Sequence, residues 1–136
     1  MDIDAARDFL RQNHRSVLVA RRRDGSPQPS PVVHGIDDTG HLVVSSREPA
    51  YKVRNLRRDP RVTVCAFGDG FFGPWVVVDG QATIVPLPEA MDLLVALYRQ
   101  VAGEHPDWDE FRSAMASERR VAIRVAIERA GPDVAG

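Results

Sequence analysis

Six short apolar runs, each followed by turn residues, predict a chain built mostly of β-strands. They are SVLVAR, QPSPVVHGI, HLVVSS, RVTVCAF, WVVVDGQATIV and RRVAIRVAIER. The last alternates apolar and polar positions with the two-residue period of a half-buried strand. Asp-Gly in RRDGSP favours a hairpin between the first two runs, so their pairing should be antiparallel. Pro29 and Pro31 cannot donate to a ladder, which places the second strand at an edge or beside a bulge.

Helices are predicted at four places between these strands. A short amphipathic helix follows Asp4, and another lies between Pro49 and Pro60. The clearest helix spans Pro88 to Ala102, and a shorter one covers DWDEFRSAM. The resulting order, α-β-β-β-α-β-β-α-α-β, has no βαβ rhythm. We therefore expect an antiparallel sheet that closes toward a barrel.

Length, charge and cysteine content exclude several classes of protein. The 136 residues, 43% of them hydrophobic, fit one domain over residues 1–136. A formal net charge of -1 argues against a nucleic-acid partner. The single cysteine, Cys65, excludes an internal disulfide, and no histidine spacing indicates a metal site. With no apolar run near the roughly 18 residues of a membrane span, and no secretory signal, we expect a cytoplasmic protein without a membrane partner.

The stretch Ser45–Val62, SSREPAYKVRNLRRDPRV, concentrates basic side chains. Lys52 within it is the only lysine among the 18 Lys and Arg residues of the chain. A helix that begins near Pro49 would place its N-terminal amides beside two serine hydroxyls, an arrangement that binds phosphate. On a helical wheel Lys52 and Asn55 share one side, which makes both candidates for phosphate binding. The arginines at positions 54, 57, 58 and 61 form another flank, either a solvated face or a tract that contacts a polyanion.

Simple catalytic motifs are missing from the chain. The four histidines are scattered, and there is neither a Gly-x-Ser-x-Gly elbow nor a glycine-rich phosphate loop. An enzyme of this kind would leave the difficult step to a bound cofactor. His34 is either a structural residue or a polar group that faces a substrate. Trp75, which follows FFGP, is either a core residue or a cover over a planar ligand.

Several longer stretches together carry a family resemblance. They are DGSPQPSPVVHGIDDTGHLVVSS, KVRNLRRDPRVTV and WVVVDGQATIV. The chain closely resembles the split-barrel flavin and deazaflavin oxidoreductases related to pyridoxamine 5'-phosphate oxidase. Its tail, ALYRQVAGEHPDWDEFRSAMASERRVAIRV, looks like the actinobacterial branch that uses the deazaflavin coenzyme F420. The resemblance implies a mainly β fold, a split β-barrel of about six antiparallel strands with peripheral helices.

The resemblance also implies a homodimer with two cofactor sites at the subunit interface. In the family, the lysine that matches Lys52 binds the cofactor phosphate, aided by the strand end that matches Ser45 and Ser46. Relatives often carry serine or arginine where this chain has Ala50 and Tyr51, so Arg47 is expected to take that role. The remaining residues implied for the cofactor are Pro31, Val32 and Val33 along the ring, Gly73 to Trp75 from the other subunit, and Arg54 and Arg58 on the oligoglutamate tail.

The expected function is reduction of an electron-poor unsaturated carbonyl or quinone-like compound by F420H2. No residue of the protein need act as a nucleophile, and His34 is the candidate for substrate contact. The alternatives are an FMN-dependent oxidoreductase on the same barrel and a non-enzymatic cofactor carrier. The chain ends at ERAGPDVAG, without the Trp- and Arg-containing segment of the pyridoxamine phosphate oxidases, so that reaction is not expected.

Overall fold

The computed structural model describes residues 1–131, and its ten elements follow the predicted order. The six strands are β1 (Arg15–Arg21), β2 (Pro27–Ile36), β3 (Leu42–Arg47), β4 (Arg61–Phe67), β5 (Trp75–Pro86) and β6 (Arg120–Ala130). The four helices are α1 (Ile3–Gln12), α2 (Tyr51–Arg58), α3 (Met91–Ala102) and α4 (Trp108–Ser117). Within this part of the chain, no helix is long and apolar enough to cross a membrane. The assignment of one domain to residues 1–136 stays a prediction, and residues 132–136 lie outside the described range.

The six strands form one closed antiparallel barrel in the order β1-β2-β3-β6-β5-β4. The β1–β2 hairpin pairs Arg15 with Val33 at one end and Arg21 with Pro27 at the other. The predicted mainly β fold and the antiparallel barrel of about six strands are thereby confirmed.

The barrel interior forms the larger of two hydrophobic clusters. Inward side chains such as Leu18, Val64 and Ile123 are fully buried in it. Leu10 of α1 and Leu56 of α2 add to the same cluster, so these helices cover parts of the barrel interior that the strands leave open. The second cluster lies outside the barrel, where α3 and α4 cover β3 and β6. Its buried members are Val43 and Ala122 of the strands together with Ala90, Leu94, Val95 and Phe111.

The barrel is split because β2 and β3 pair over only three positions. His34, Gly35 and Ile36 of β2 lie opposite Val44, Val43 and Leu42 of β3. Beyond them β2 continues along β1 alone, and β3 continues along β6. The prolines at 27, 29 and 31 occupy every second position of β2, on the part that leaves β3. This confirms the predicted strand edge, since proline has no N–H to offer a neighbouring strand.

Helix α3 is fastened by one side chain to the end of β2 that pairs with β3. The Gln100 amide accepts a hydrogen bond from the Ile36 N–H at 2.7 Å and donates one to the Ile36 carbonyl at 2.8 Å. Gln100 thus satisfies both backbone groups of a β2 residue, as a neighbouring strand would. The helix begins at Met91, later than the predicted Pro88, because residues 87–90 form a turn in which the Ala90 N–H donates to the Pro86 carbonyl.

We predict that Gly80→Ala destabilises the barrel. A Cβ at this position would overlap the carbonyl oxygen of Ala126, at the irregularity where the register between β5 and β6 shifts. Relieving a clash with backbone should cost about 3 kcal/mol or more of unfolding free energy, measured by urea denaturation. Gly70→Ala is the matched control, because its nearest heavy atom lies 3.9 Å away, and a loss as large as that of Gly80→Ala would contradict the packing argument.

Candidate functional site

A cavity of about 570 Å³ opens where β2 and β3 separate. This volume is in the range of pockets that hold small molecules and cofactors. One side is formed by Pro31, Val32 and Val33 of β2, and the other by the end of β3 and the start of α2. The cavity is therefore a direct product of the short β2–β3 pairing.

One end of the cavity is cationic and holds Arg47, Lys52 and Arg120. Burial, and secondarily the positive charge of Arg120, lower the pKa of Lys52. Arg120 is bound to the Glu118 carboxylate at 2.8 Å, whereas neither Lys52 nor Arg47 has a hydrogen-bond or ion-pair partner for its side chain within the described residues. Two cations that lie close together without enough negative charge to compensate them favour binding of an anion.

Two hydroxyl groups and a helix start complete this end. Ser45 and Ser46 line the cavity, and neither hydroxyl hydrogen-bonds to another residue in the part of the chain described. Helix α2 begins directly afterwards at Tyr51, with no side-chain cap and no acidic residue in its first turn. The donor set of hydroxyls, cations and a helix N-terminus is the chemistry that a phosphate requires.

The remaining wall comes from α3 and α4 and is almost entirely apolar. We call this set the α3–α4 wall; its members are Leu94, Leu97, Tyr98, Val101, Ala102, Phe111 and Met115. One end of the cavity therefore suits a charged group, while the rest suits an apolar ring.

Seven of the predicted cofactor residues meet in this one cavity. They are Pro31, Val32, Val33, Ser45, Ser46, Arg47 and Lys52. Arg120 and the α3–α4 wall were not predicted from the sequence. The Arg119-Arg120 pair at the start of β6 was the only sequence signal for Arg120, and no local sequence pattern marks a helix as the wall of a cavity.

Three other predicted residues lie in a separate groove. Arg54, Asn55 and Arg58 face Arg22 and Arg23 there, and we call this set of four arginines with Asn55 the arginine groove. The helical-wheel division of α2 was wrong for Asn55. Its amide oxygen accepts a hydrogen bond from Arg58 at 3.0 Å, and its nitrogen donates to Gln28 at 3.2 Å, so Asn55 lies with the arginines rather than with Lys52.

The two concavities adjoin at the start of α2. Ala50 and Lys52 line the first cavity, while Tyr51 between them lines the arginine groove. The predicted arginine flank is also not one surface, because Arg57 pairs with Glu48 and Arg61 pairs with Asp59. Only Arg54 and Arg58 of that flank lie in the groove.

Gly73 and Trp75 do not reach the cavity of their own chain. Trp75 begins β5 and lies half-buried beside Phe67 in the strand register, while Phe71 and Phe72 of the preceding loop are 78% and 94% exposed. Outward side chains of the neighbouring strands continue this apolar surface, and none of them joins either core cluster. They are Val17, Val19, Cys65 and Val77.

His34 is a core residue, which corrects its candidacy for substrate contact. Its side chain is fully buried, with the Ser16 hydroxyl 2.8 Å from Nδ1 and the Leu10 carbonyl oxygen 3.2 Å from Nε2. Because a carbonyl only accepts, Nε2 carries the proton and Nδ1 accepts from Ser16. Burial, and then the charge of His14, lower the pKa of His34 to about 4. The neutral ring thus connects α1 to the barrel.

Comparison with known proteins places the chain in one family. The family model described as pyridoxamine 5'-phosphate oxidase matches residues 3–132. A conserved hypothetical protein from Mycobacterium tuberculosis is similar in structure, with a TM-score of 0.78 and 26% identity over 96% of this chain and 82% of its own.

Two further solved structures share the fold at lower identity. One, titled F420 reductase, has a TM-score of 0.68 and 23% identity over 91% of this chain and 94% of its own. The other is a FAD-binding protein from Mesorhizobium loti, with a TM-score of 0.65 and 24% identity over 96% of this chain and 90% of its own.

We predict that His34 makes the protein less stable in mild acid. Its pKa is lowered from 6.5 to about 4 in the folded chain, so the unfolded chain takes up a proton first as the pH falls. The neutral His34 ring contributes its full share to the free energy of unfolding above pH 6.5. This contribution, about 3 kcal/mol, is lost as the pH falls from 6.5 to about 4. Urea unfolding across this window should show the slope, and His34→Gln should flatten it. A slope that is the same in the variant would contradict this assignment.

Proposed function

The chain belongs to the pyridoxamine 5'-phosphate oxidase family, and from this premise we propose that it is a coenzyme F420-dependent reductase. Its fold is that of the flavin and deazaflavin oxidoreductases. The proposed substrate is an electron-poor unsaturated carbonyl or quinone-like compound. The observation that carries the proposal is a set of donors without partners among residues 1–131, at the cationic end of a cavity whose remaining walls are mostly apolar. The donors are Ser45, Ser46, Arg47 and Lys52.

The donors at the cationic end are assigned to the cofactor phosphate. Lys52 supplies a positive charge that no carboxylate of residues 1–131 compensates, and Arg120 stands close enough to lower the Lys52 pKa. A bound phosphate would relieve that repulsion and accept hydrogen bonds from Ser45 and Ser46 as well. We call these residues together with Arg47 the phosphate anchor.

The apolar part of the cavity is assigned to the deazaflavin ring of the cofactor and to the substrate that lies against it. Pro31 and Val33 present flat apolar surface, and Val33 is 49% exposed although it belongs to a strand of the barrel. When bound, F420H2 supplies a hydride. The protein's own part is to hold the two reactants in contact and to exclude water, which lowers the entropic part of the barrier.

The arginine groove is assigned to an anionic tail. Arg54 and Arg58 line it, and Asp24 is its one carboxylate among residues 1–131. Because the groove adjoins the phosphate anchor at residues 50–52, a ligand could place its phosphate in the first site and its carboxylates in the second. Coenzyme F420 carries such an oligoglutamate tail, whereas FMN ends at its phosphate.

A homodimer with the sites at its interface is the proposed assembly. The apolar outer surface of β1, β4 and β5 is the area to be covered, and exposed Phe71 and Phe72 lie at its edge. Large contiguous apolar surfaces of this kind commonly mark protein interfaces. In the dimer, Gly73 and Trp75 would reach the cavity of the partner subunit rather than their own.

The experiment that tests the cofactor offers purified apo-protein F420, FMN and haem separately and measures each affinity by titration. F420 should bind most tightly. Tight FMN binding with none for F420 would overturn the proposal in favour of the FMN-dependent rival. Binding of F420 without turnover over a panel of quinones and enones would favour the carrier.

We predict that three α2 variants will differ from one another in their affinities for F420 and FMN in that titration. Lys52→Ala removes one of the two cations, Arg47 and Lys52, that have no partner among residues 1–131, and it should weaken both F420 and FMN by about 10- to 100-fold. Arg54→Ala should weaken only F420, by about two- to fivefold, because it acts on the tail through a solvent-exposed contact.

Arg57→Ala is the matched control for these variants. Its side chain pairs with Glu48 at 2.7 Å and lines neither concavity, so both affinities should stay within about twofold. Equal losses in Lys52→Ala and Arg57→Ala would refute the phosphate anchor.

We predict that Val77→Asp converts the protein to a monomer. Val77 lies in register with Cys65 at the middle of the apolar outer surface, and a carboxylate there would be buried without a partner in the dimer. Light scattering after size-exclusion chromatography measures the mass. Thr83→Asp, an exposed position farther along β5, should leave the mass unchanged. A monomeric parent protein would overturn the proposed assembly.

A further inference from the structure

The α3–α4 wall has one polar side chain, Tyr98. Its neighbours Leu94, Leu97, Val101, Phe111 and Met115 are all apolar. The phosphate anchor lies at the other end of the cavity, where Ser45, Arg47 and Lys52 concentrate the polar groups. A ligand that rests on the wall therefore meets hydrocarbon over its surface and a single hydroxyl.

The Tyr98 ring is fixed by three other rings. Its centroid lies 5.0 Å from that of His105, 5.8 Å from that of Trp108 and 5.3 Å from that of Phe111. The contacts with Trp108 and Phe111 are edge-to-face, a favourable geometry for aromatic pairs. Trp108 is itself held, because its Nε1–H donates to Glu104 at 3.1 Å and the Arg99 guanidinium lies 4.7 Å from its ring centroid.

The Tyr98 hydroxyl takes no part in this packing. Within residues 1–131 it has no hydrogen-bond partner, although the side chain is half-buried. A phenylalanine would make the same ring contacts, so the packing of the α3–α4 wall does not require the hydroxyl. The hydroxyl is thus left available to a ligand in the cavity that Tyr98 lines.

The position of the hydroxyl is also set in advance. Gln100, two residues along α3, is bonded to both backbone groups of Ile36, and Leu94 is buried in the cluster beneath the helix. Since the ring and its helix are both held, little conformational freedom remains to be lost when a ligand binds. Such pre-organised polar groups in apolar pockets determine which ligands fit.

We propose that the α3–α4 wall binds the acceptor as a flat, apolar carbonyl compound and that Tyr98 donates a hydrogen bond to its carbonyl oxygen. Tyr98 is then the residue that distinguishes carbonyl compounds from hydrocarbons of the same shape. That this ligand is the hydride acceptor rests on the proposed function. The binding itself requires only the wall and the hydroxyl, so it can be measured on the apo-protein.

The test compares 9-fluorenone with fluorene. Both have the same tricyclic frame, but fluorenone has a carbonyl group where fluorene has a methylene group. Both are titrated into apo-protein, with binding followed by NMR. Tyr98→Phe should weaken fluorenone binding about tenfold, which corresponds to the loss of one hydrogen bond, and leave fluorene binding unchanged. The Tyr98 ring signals should also shift when fluorenone binds to the parent protein.

Ser113→Ala is the matched control, because it removes an exposed hydroxyl from α4 that does not line this cavity. It should change neither affinity. Equal losses of fluorenone and fluorene in Tyr98→Phe, or no loss of either, would overturn the inference. A carbonyl preference that depends on Tyr98 in a protein that binds no F420 would keep this inference and overturn the proposed cofactor instead.

Discussion

The structure depends on the point at which β2 can no longer pair with β3. Three residues of β2 meet β3, and the prolines at 27, 29 and 31 follow on the other part of the strand. Backbone groups of a strand point alternately to its two sides, so prolines two apart remove donors from one side only. The side facing β1 keeps its ladder, and the side facing β3 loses it. The six strands still close the barrel through the three β2–β3 pairs, but β2 and β3 separate beyond them.

The positions of both walls of the candidate site depend on the separation of β2 from β3. The freed end of β3 carries Ser45, Ser46 and Arg47 to one side of the opening, and α2 begins immediately after it with Lys52. Helices α3 and α4 cover the other side, held by Gln100 and by the outer cluster around Val43. A barrel with β2 and β3 paired throughout would have backbone hydrogen bonds where this one has a cavity.

The secondary structure and the barrel class were predictable from the sequence, and the long-range contacts within the site were not. Apolar periodicity and turn residues predicted all ten elements and the antiparallel hairpins, because those signals lie within a few residues of each other. The link between Lys52 and Ser45 was also local. Arg120 is 68 positions from Lys52 and Tyr98 is 46 positions away, by subtraction of their residue numbers, so only the closed barrel brings them to one cavity. Asn55 was misplaced because a helical wheel gives relative directions without saying which neighbour each side meets.

The arginine groove distinguishes F420, the proposed cofactor, from FMN better than the phosphate anchor does. Any ligand with a phosphate would satisfy Lys52 and Arg120, so the anchor suits FMN and F420 equally. The arginine groove is different, since Asp24 is the one carboxylate among the described residues that line it beside four arginines, in a chain whose net charge is -1. A ligand that ends at its phosphate would leave these four cations without further carboxylates, although Arg58 donates to the Arg21 carbonyl and Arg22 to the Pro27 carbonyl. One that continues into a row of carboxylates would occupy both concavities across α2, and the groove rather than the lysine would then decide the selectivity.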